Sequence, residues 1–454
     1  MPSSTRDQKF VLSIAVLASF VTFLDGSVIN VALPAISEEL GGGLTVQQWV
    51  VDAYLVTLGT LILLAGSLSD AFGRMLVLRV GLIGFAATSV AIAIAPTAEL
   101  LIVLRGLQGV AGALLVPSSL ALIIANFRGV AQARAIGQWT GFTSAAFLAG
   151  PILGGLAVDF LSWRLVFAIN IIPIAITLVL MARLGQKDVR PEGAGIDWLG
   201  AVLGIVGLGG PVFALIEQAN FGWASPVIWV PFVVGLVALV VFVLRQRTTR
   251  HPMLPLGLFS VRNFSAGNIA TTFIYAALSL GGFLITVYLQ QVAGFSATAA
   301  GFAFLPMTVI NIALSSFFGT LAGRYGPRIF MTLGPIVGGI GYLLMLSMGK
   351  TVDYWWEVLP GVLVFALGLT ATVAPLTAAI LGSIPETQSG IGSAINNAVS
   401  RIAGLVAIAL IGVILGGPLD VESFHRGLIV TAALLFAGGV VSWIGIRNPK
   451  PVKE

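Results

Sequence analysis

An aspartate inside an oily run is the first residue of this chain whose chemistry demands an explanation. Phe10 to Leu33 is apolar over a length that can cross a bilayer, yet Asp25 stands well inside it, with Asn30 further on and Pro34 closing the run. A charge near the centre of a membrane helix costs at least ~2.5–3.5 kcal/mol on insertion scales, so an acid there marks an ion or proton pathway, or a salt bridge. Asp52, in Trp49-Val50-Val51-Asp52-Ala53-Tyr54, and Arg105 interrupt two later runs in the same way. At 1.5 Å per residue, Asp25 lies about 13 Å below the outer end of a helix stopped by Pro34, which lacks an N–H donor. Asp52 and Arg105 lie roughly 8–9 Å below theirs, so all three are expected to meet in the outer half of one helix bundle. Arginine does not release its proton; it would hold a nearby carboxylate ionised and compete for it with a proton or a cationic substrate. A permanent structural pair between Arg105 and one aspartate fits the same residues.

The elements that must position these side chains are membrane helices. The chain of 454 residues is 57% hydrophobic and only 9% charged, against about 25% charged in soluble domains. Apolar runs of about 20 residues number fourteen, from 10–33 to 424–446. Their length calls for helices rather than barrel strands. With the N-terminus inside, eighteen of the 23 Lys and Arg fall in tails and loops on the cytoplasmic side. An even span count then puts both termini in the cytosol of a cell whose inner (plasma) membrane holds a multi-pass protein.

A weak internal repeat divides the chain. Gly66-Ser-Leu68-Ser-Asp70-Ala-Phe72-Gly73-Arg74 and Gly319-Thr-Leu321-Ala-Gly323-Arg324-Tyr325-Gly326 share Gly, Leu, an aromatic and Gly at equal offsets. The expected organisation is a six-helix bundle over 1–190, a linker with inserted spans 7 and 8 over 191–262, and a second six-helix bundle over 263–454. Parallel repeats with a central site between the halves are a known transporter plan.

Further residues are candidates by type and place. Gly66, Asp70, Gly73 and Arg74 suit a tight cytoplasmic turn, Asp70 in the loop being free to meet a helix N-terminus, Arg128 or Arg134 and so act as a gate. Gly141, Gly150, Pro151, Gly154 and Gly155 put small residues at helix-packing spacing. Asn30, Tyr54, Trp139, Glu217, Gln290, Gln291, Asn311, Asn396, Asn397 and Arg401 are polar or aromatic candidates for a substrate cavity. Glu217 could equally be interfacial and Trp139 ordinary packing. Cysteine is absent and the two histidines, His251 and His425, fall in predicted loops, which leaves no metal or thiolate chemistry. Leu344 stands where a phosphate loop ending Gly349-Lys350-Thr351 would need glycine, so ATP is not expected to drive the protein. No serine, histidine and acid arrangement suits an enzyme. No cofactor is expected, and the scattered basic residues do not suggest nucleic acid.

Together these motifs resemble the major facilitator superfamily, and within it the fourteen-span drug/proton antiporters. Leu24-Asp25-x-Ser27-Val28-Ile29-Asn30-Val31-Ala32-Leu33-Pro34 is similar to that family's span 1 signature, and Gly66-x-Leu68-Ser69-Asp70-x-Phe72-Gly73-Arg74 to the superfamily's gate motif. Leu101-x3-Arg105-x2-Gln108-Gly109-x2-Gly112-Ala113 resembles the span 4 motif whose arginine is implicated in proton transfer. Ala149-Gly150-Pro151-x2-Gly154-Gly155 resembles the antiporter motif of exporters, and Trp163-Arg164-x2-Phe167-x2-Asn170 is a further family-like string. Ala71 replaces the basic residue usual in the gate. The resemblance implies an all-α polytopic membrane protein of the major facilitator fold, two six-helix bundles plus two inserted transmembrane helices. It would be a monomer in the lipid bilayer that exports lipophilic, cationic drugs or a natural product in exchange for protons, by alternating access. The alternatives are a nutrient or metabolite importer or facilitator of the same superfamily, which the antiporter motif disfavours, and a non-transporting sensor.

Overall fold

Backbone N–H and C=O groups in hydrocarbon must bond within their own segment, so the apolar runs become helices. The computed structural model describes residues 5–184, 195–250, 252–385 and 388–448, and every regular element among them is helical. Two compact units result: Met1–Leu254 with Ser296–Gly301, and Pro255–Phe295 with Phe302–Glu454.

The first unit begins with α1 (Thr5–Leu40), α2 (Gly43–Phe72), α3 (Arg74–Ala93), α4 (Ala98–Ala113) and α5 (Leu115–Asn126). It continues through α6 (Gly129–Phe160), α7 (Leu165–Ala168), α8 (Ile171–Leu184), α9 (Trp198–Phe221) and α10 (Pro226–Thr248). After α11 (Arg262–Gln291), which opens the second unit, all but the last residue of α12 (Ala297–Phe302) belongs to the first. The second unit goes on with α13 (Leu305–Tyr325), α14 (Pro327–Leu344), α15 (Leu359–Leu381), α16 (Ser389–Ala409), α17 (Ile411–Leu415) and α18 (Val421–Gly445). Thirteen stretches among the described residues are long and apolar enough to cross a membrane, roughly the fourteen expected; the 32-residue α6 adds a shorter apolar stretch, Ala149–Phe160.

Within the first unit α1 packs along α6, α2 along α4, and α9 along both α10 and α2. The inserted pair is thus bound to the bundle before it. Where α9 begins, Asp197 accepts hydrogen bonds from Gly200 N (2.9 Å), Arg245 Nε (2.7 Å) and Gln246 Nε2 (3.1 Å). Its carboxyl is pushed up by burial, but these donors prevail and hold it below the usual carboxylate range. Along α10, Val233, Val237, Val240 and Leu244 form an exposed apolar stripe, as a lipid-facing surface requires.

Three local expectations change. Pro34 does not end α1, which runs on to Leu40; membrane helices tolerate an internal proline because neighbouring groups re-satisfy the freed backbone. The break comes instead at Gly41, Gly42 and Gly43, with φ of +81°, +82° and +52°. Asp25 therefore lies about 22 Å of helix from that end, nearer the middle than the proline implied. The turn of the gate sequence is tight as expected, but Asp70 is not in it: α2 runs to Phe72, so Asp70 is on a helix and Gly73 alone (φ +100°, ψ 139°) makes the turn. Gly326 makes the equivalent turn between α13 and α14 (φ +87°, ψ 151°). Finally, His425 lies in α18, with Nε2 2.8 Å from the Met348 carbonyl oxygen, whereas His251 lies outside the described residues.

Candidate functional site

Five segments of the first unit converge on Asp25. Arg105 Nη1 donates to Asp25 Oδ2 at 2.7 Å, and Asn170 Nδ2, from the turn between α7 and α8, donates to Oδ1 at 3.1 Å. Gln108 sits beside them, accepting from Arg105 Nη1 (2.6 Å), donating to Ser89 Oγ of α3 (2.9 Å), and standing 3.5 Å from Asp25 Oδ1. From α2, Val50 accepts a bond from Arg105 Nε (2.9 Å), and the Tyr54 ring lies 4.3 Å from the guanidinium carbon. Asp25 and Arg105 are both 0% exposed. A buried ion pair is stable only when its remaining lone pairs and protons are also satisfied; Val50, Gln108 and Asn170 supply part of that, and Arg105 Nη2 has no hydrogen bond among the described residues.

Glycine makes the convergence geometrically possible. A Cβ at Gly109 would come 2.2 Å from Thr57 Oγ1 and 2.3 Å from the Tyr54 carbonyl, so α4 and α2 touch backbone to backbone one turn from Arg105. On the other side of α1, a Cβ at Gly150 would meet Ser27 Oγ at 1.9 Å, and one at Gly154 the Val28 carbonyl at 2.8 Å. The glycines of α6 therefore hold α1 immediately beyond Asp25. Gly155 and Pro151 face α12, where a Cβ at Gly155 would lie 2.6 Å from the Ala297 carbonyl and one at Gly301 2.2 Å from that of Pro151. Asp159 closes this contact by accepting from Ala297 N (3.1 Å) and Thr298 N (2.7 Å).

Asp52 does not join the ion pair. It is 0% exposed and neither carboxyl oxygen has a hydrogen-bond partner among the described residues; Arg105 bonds Asp25 and Gln108 instead. Helical periodicity explains the separation: Ala53, Tyr54 and Thr57 face α4, which turns Asp52 roughly to the far side of α2 at 100° per residue. Contacts with α9 run alongside, through Trp49 with Phe213 (ring centroids 6.0 Å apart) and Thr60 with Gly204.

The other candidates are dispersed. Glu217 accepts from Trp49 Nε1 (2.7 Å) and Asn220 Nδ2 (2.8 Å), tying the last turns of α9 to the start of α2. Trp139 is buried and donates to Ser19 Oγ (3.0 Å), and Tyr54 is buried under Arg105. Asn30 is half-buried in α1. In the second unit Gln291 is exposed and Gln290, Asn311, Asn397 and Arg401 are half-buried. There Asn396 donates to Asn268 Oδ1 (3.2 Å) and Thr271 Oγ1 (2.9 Å). Of the gate residues, Gly73 is buried and Arg74 half-buried. A Cβ at Gly66 would meet nothing within 4 Å, so that glycine is no close-approach site. The Asp70 side chain lies outside the described residues. Arg128 donates to the Ile124 carbonyl (3.1 Å). Sequence reasoning missed the roles of Ser89 and Asp159: a serine in an apolar span and an acid at a span's end carry no distinctive signal.

Thirteen membrane-length helices among the described residues, with a buried ion pair inside the first unit, define a polytopic membrane protein. Comparison with known proteins makes the class specific. The family model described as Major Facilitator Superfamily matches residues 15–197 and 186–408, and the chain belongs to that superfamily. A methylenomycin A resistance protein of Bacillus subtilis (strain 168) is 33% identical over 409 residues, 89% of this chain and 87% of that protein. A protein of the same description from Streptomyces coelicolor is 30% identical over 98% of this chain and 94% of its own length. The multidrug efflux pump LfrA of Mycolicibacterium smegmatis is 31% identical over 91% and 82%. Among solved structures, a mutant of the peptide transporter POT in complex with sulfate is similar in fold, with a TM-score of 0.71 at 16% identity over 96% of this chain and 94% of that one.

Proposed function

We propose that this protein exports lipophilic, cationic drugs or a natural product across the plasma membrane in exchange for protons. The resistance and efflux relatives support export. Proton coupling is supported above all by Asp52, a carboxyl buried with neither oxygen hydrogen-bonded among the described residues. An ion so placed would cost several kcal/mol, so this is where taking up or losing a proton changes the molecule's energy most. Asp25 differs in being held by Arg105 and two amides; its role in this reading is to respond to Asp52 through the helices that Arg105 joins. The same reading keeps a monomer with both termini in the cytosol, six-helix halves over 1–190 and 263–454, and the inserted pair over 191–262. It assigns the Gly66–Arg74 turn to gating on the cytoplasmic side.

The test is efflux of ethidium from reconstituted vesicles with a trapped pH dye. Asp52→Asn and Asp25→Asn are each expected to abolish proton-driven efflux while the protein stays folded and inserted. Wild-type rates in both variants would remove the acids from the mechanism. Accumulation rather than exclusion of ethidium by expressing cells would favour an importer.

A further inference from the structure

α13 and α14 are joined by the single-residue turn at Gly326, yet each leans mainly on α15 and they meet chiefly at the turn. The wedge between them is a groove of about 730 Å³. Phe318 of α13 and Phe330 and Leu333 of α14 form its walls, with Leu367 of α15 beneath them. The floor cannot yield, because a Cβ at Gly368 would lie 2.3 Å from Gly338 N: α14 and α15 already pack backbone to backbone.

The mouth of the groove has a different chemistry. Arg328 places its guanidinium carbon 4.2 Å from the Trp443 ring centre and donates from Nε to the Trp443 carbonyl (2.9 Å). Arginine has five N–H donors, and the Nη groups of Arg328 make no hydrogen bond among the described residues. Arg324, exposed on the last turn of α13 beside the lining residue Tyr325, has its guanidinium carbon 5.6 Å from that ring's centre. No Asp or Glu lines the groove among the described residues.

We propose that this groove binds one anionic phospholipid, its acyl chain against Phe318, Phe330 and Leu333 and its phosphate on Arg328 and Arg324. An apolar slot lined at one end by Arg328 and Trp443, with Arg324 next in sequence to the lining residue Tyr325, complements an acidic headgroup joined to a hydrocarbon tail. Arg328 and Arg324 lie at the end of the unit that also carries Arg262 and Arg447, the side with the excess of basic residues, so the lipid comes from the cytoplasmic leaflet. Nothing in this assignment depends on what the protein transports.

The experiment is native mass spectrometry of the full chain, delipidated in detergent and titrated with dioleoylphosphatidylglycerol or dioleoylphosphatidylcholine. One phosphatidylglycerol is expected to bind at least tenfold more tightly than phosphatidylcholine. Arg324→Gln leaves the Arg328–Trp443 contacts in place and is expected to weaken that binding several-fold, with Arg328→Gln additive to it. Leu333→Trp, at an exposed position, fills the slot without changing charge and is expected to displace the lipid. Equal binding of the two lipids, unchanged retention in Arg324→Gln and Leu333→Trp, or a protein dimer in place of bound lipid would each overturn the proposal.

Discussion

Two buried aspartates in adjacent helices pose opposite problems of stability. Removing the Asp25 carboxylate leaves Arg105 buried without its counter-charge, a loss of about 3–5 kcal/mol for broken buried pairs. Asp52 has no hydrogen-bond partner to lose among the described residues, and with its proton on, replacing it with Asn exchanges one neutral buried polar group for another of nearly the same size, so stability changes little. Thermal unfolding in detergent should therefore show a large drop in Tm for Asp25→Ala and almost none for Asp52→Asn. A comparable drop in both would mean that Asp52 is paired after all. The sequence was informative here in proportion to energetic cost: an acid or an arginine in hydrocarbon is rare enough to stand out by itself. Which acid takes the arginine was not legible, because placing Asp52 at the right depth says nothing of its bearing around α2. That bearing depends on where α4 and α9 touch the helix. The amides of Gln108 and Asn170 were visible only as letters within longer motifs, since one amide in an apolar span resembles another until the fold brings it to a charge.

At the scale of the helix, what matters is which glycines face backbone. A methyl at Gly154 meets the carbonyl of Val28 at 2.8 Å, a group fixed in α1, whereas one at Gly141 or Gly66 meets nothing within 4 Å. Gly154→Ala should lower the unfolding temperature by several degrees, while Gly141→Ala and Gly66→Ala should match or slightly exceed wild type, because alanine is the better helix former. The spacing of small residues predicted a packing face on α6 but could not distinguish glycines in contact from those facing open space. Acidity offers a second test, at the junction of α9 and α10. The Asp197 carboxyl lies below its ordinary value, so its contribution is fully present above the unfolded value of about 3.9 and is lost as pH falls through the folded value. Wild type and Asp197→Asn should thus differ in melting temperature at neutral pH and converge below about pH 4. A gap that persists into acid would assign the effect to packing.

For the molecule as a whole, the helical fold and a span count close to the thirteen found among the described residues followed from hydropathy alone, since about 20 apolar residues in lipid leave the backbone no other choice. Helix ends were less legible because membrane helices here continue beyond their apolar cores, as α1 and α2 do. The cysteine-free chain permits a direct test of orientation with a membrane-impermeant thiol reagent on intact cells. Ala224→Cys, between α9 and α10, should be labelled from outside, and Thr249→Cys, after α10, only once the cells are opened. The reverse pattern would turn the topology over. The two one-residue turns at Gly73 and Gly326 carry a consequence for how the halves tolerate change. Both hold the backbone at a positive φ, and both close with an N–H donated four residues back, to Ser69 at 3.1 Å and Ala322 at 2.9 Å. A residue with a side chain is strained there whatever surrounds it, while the flanking letters need only remain helical. In a saturation library these two positions should accept almost nothing but glycine, as paired fixed points between which the rest of each hairpin is free to drift.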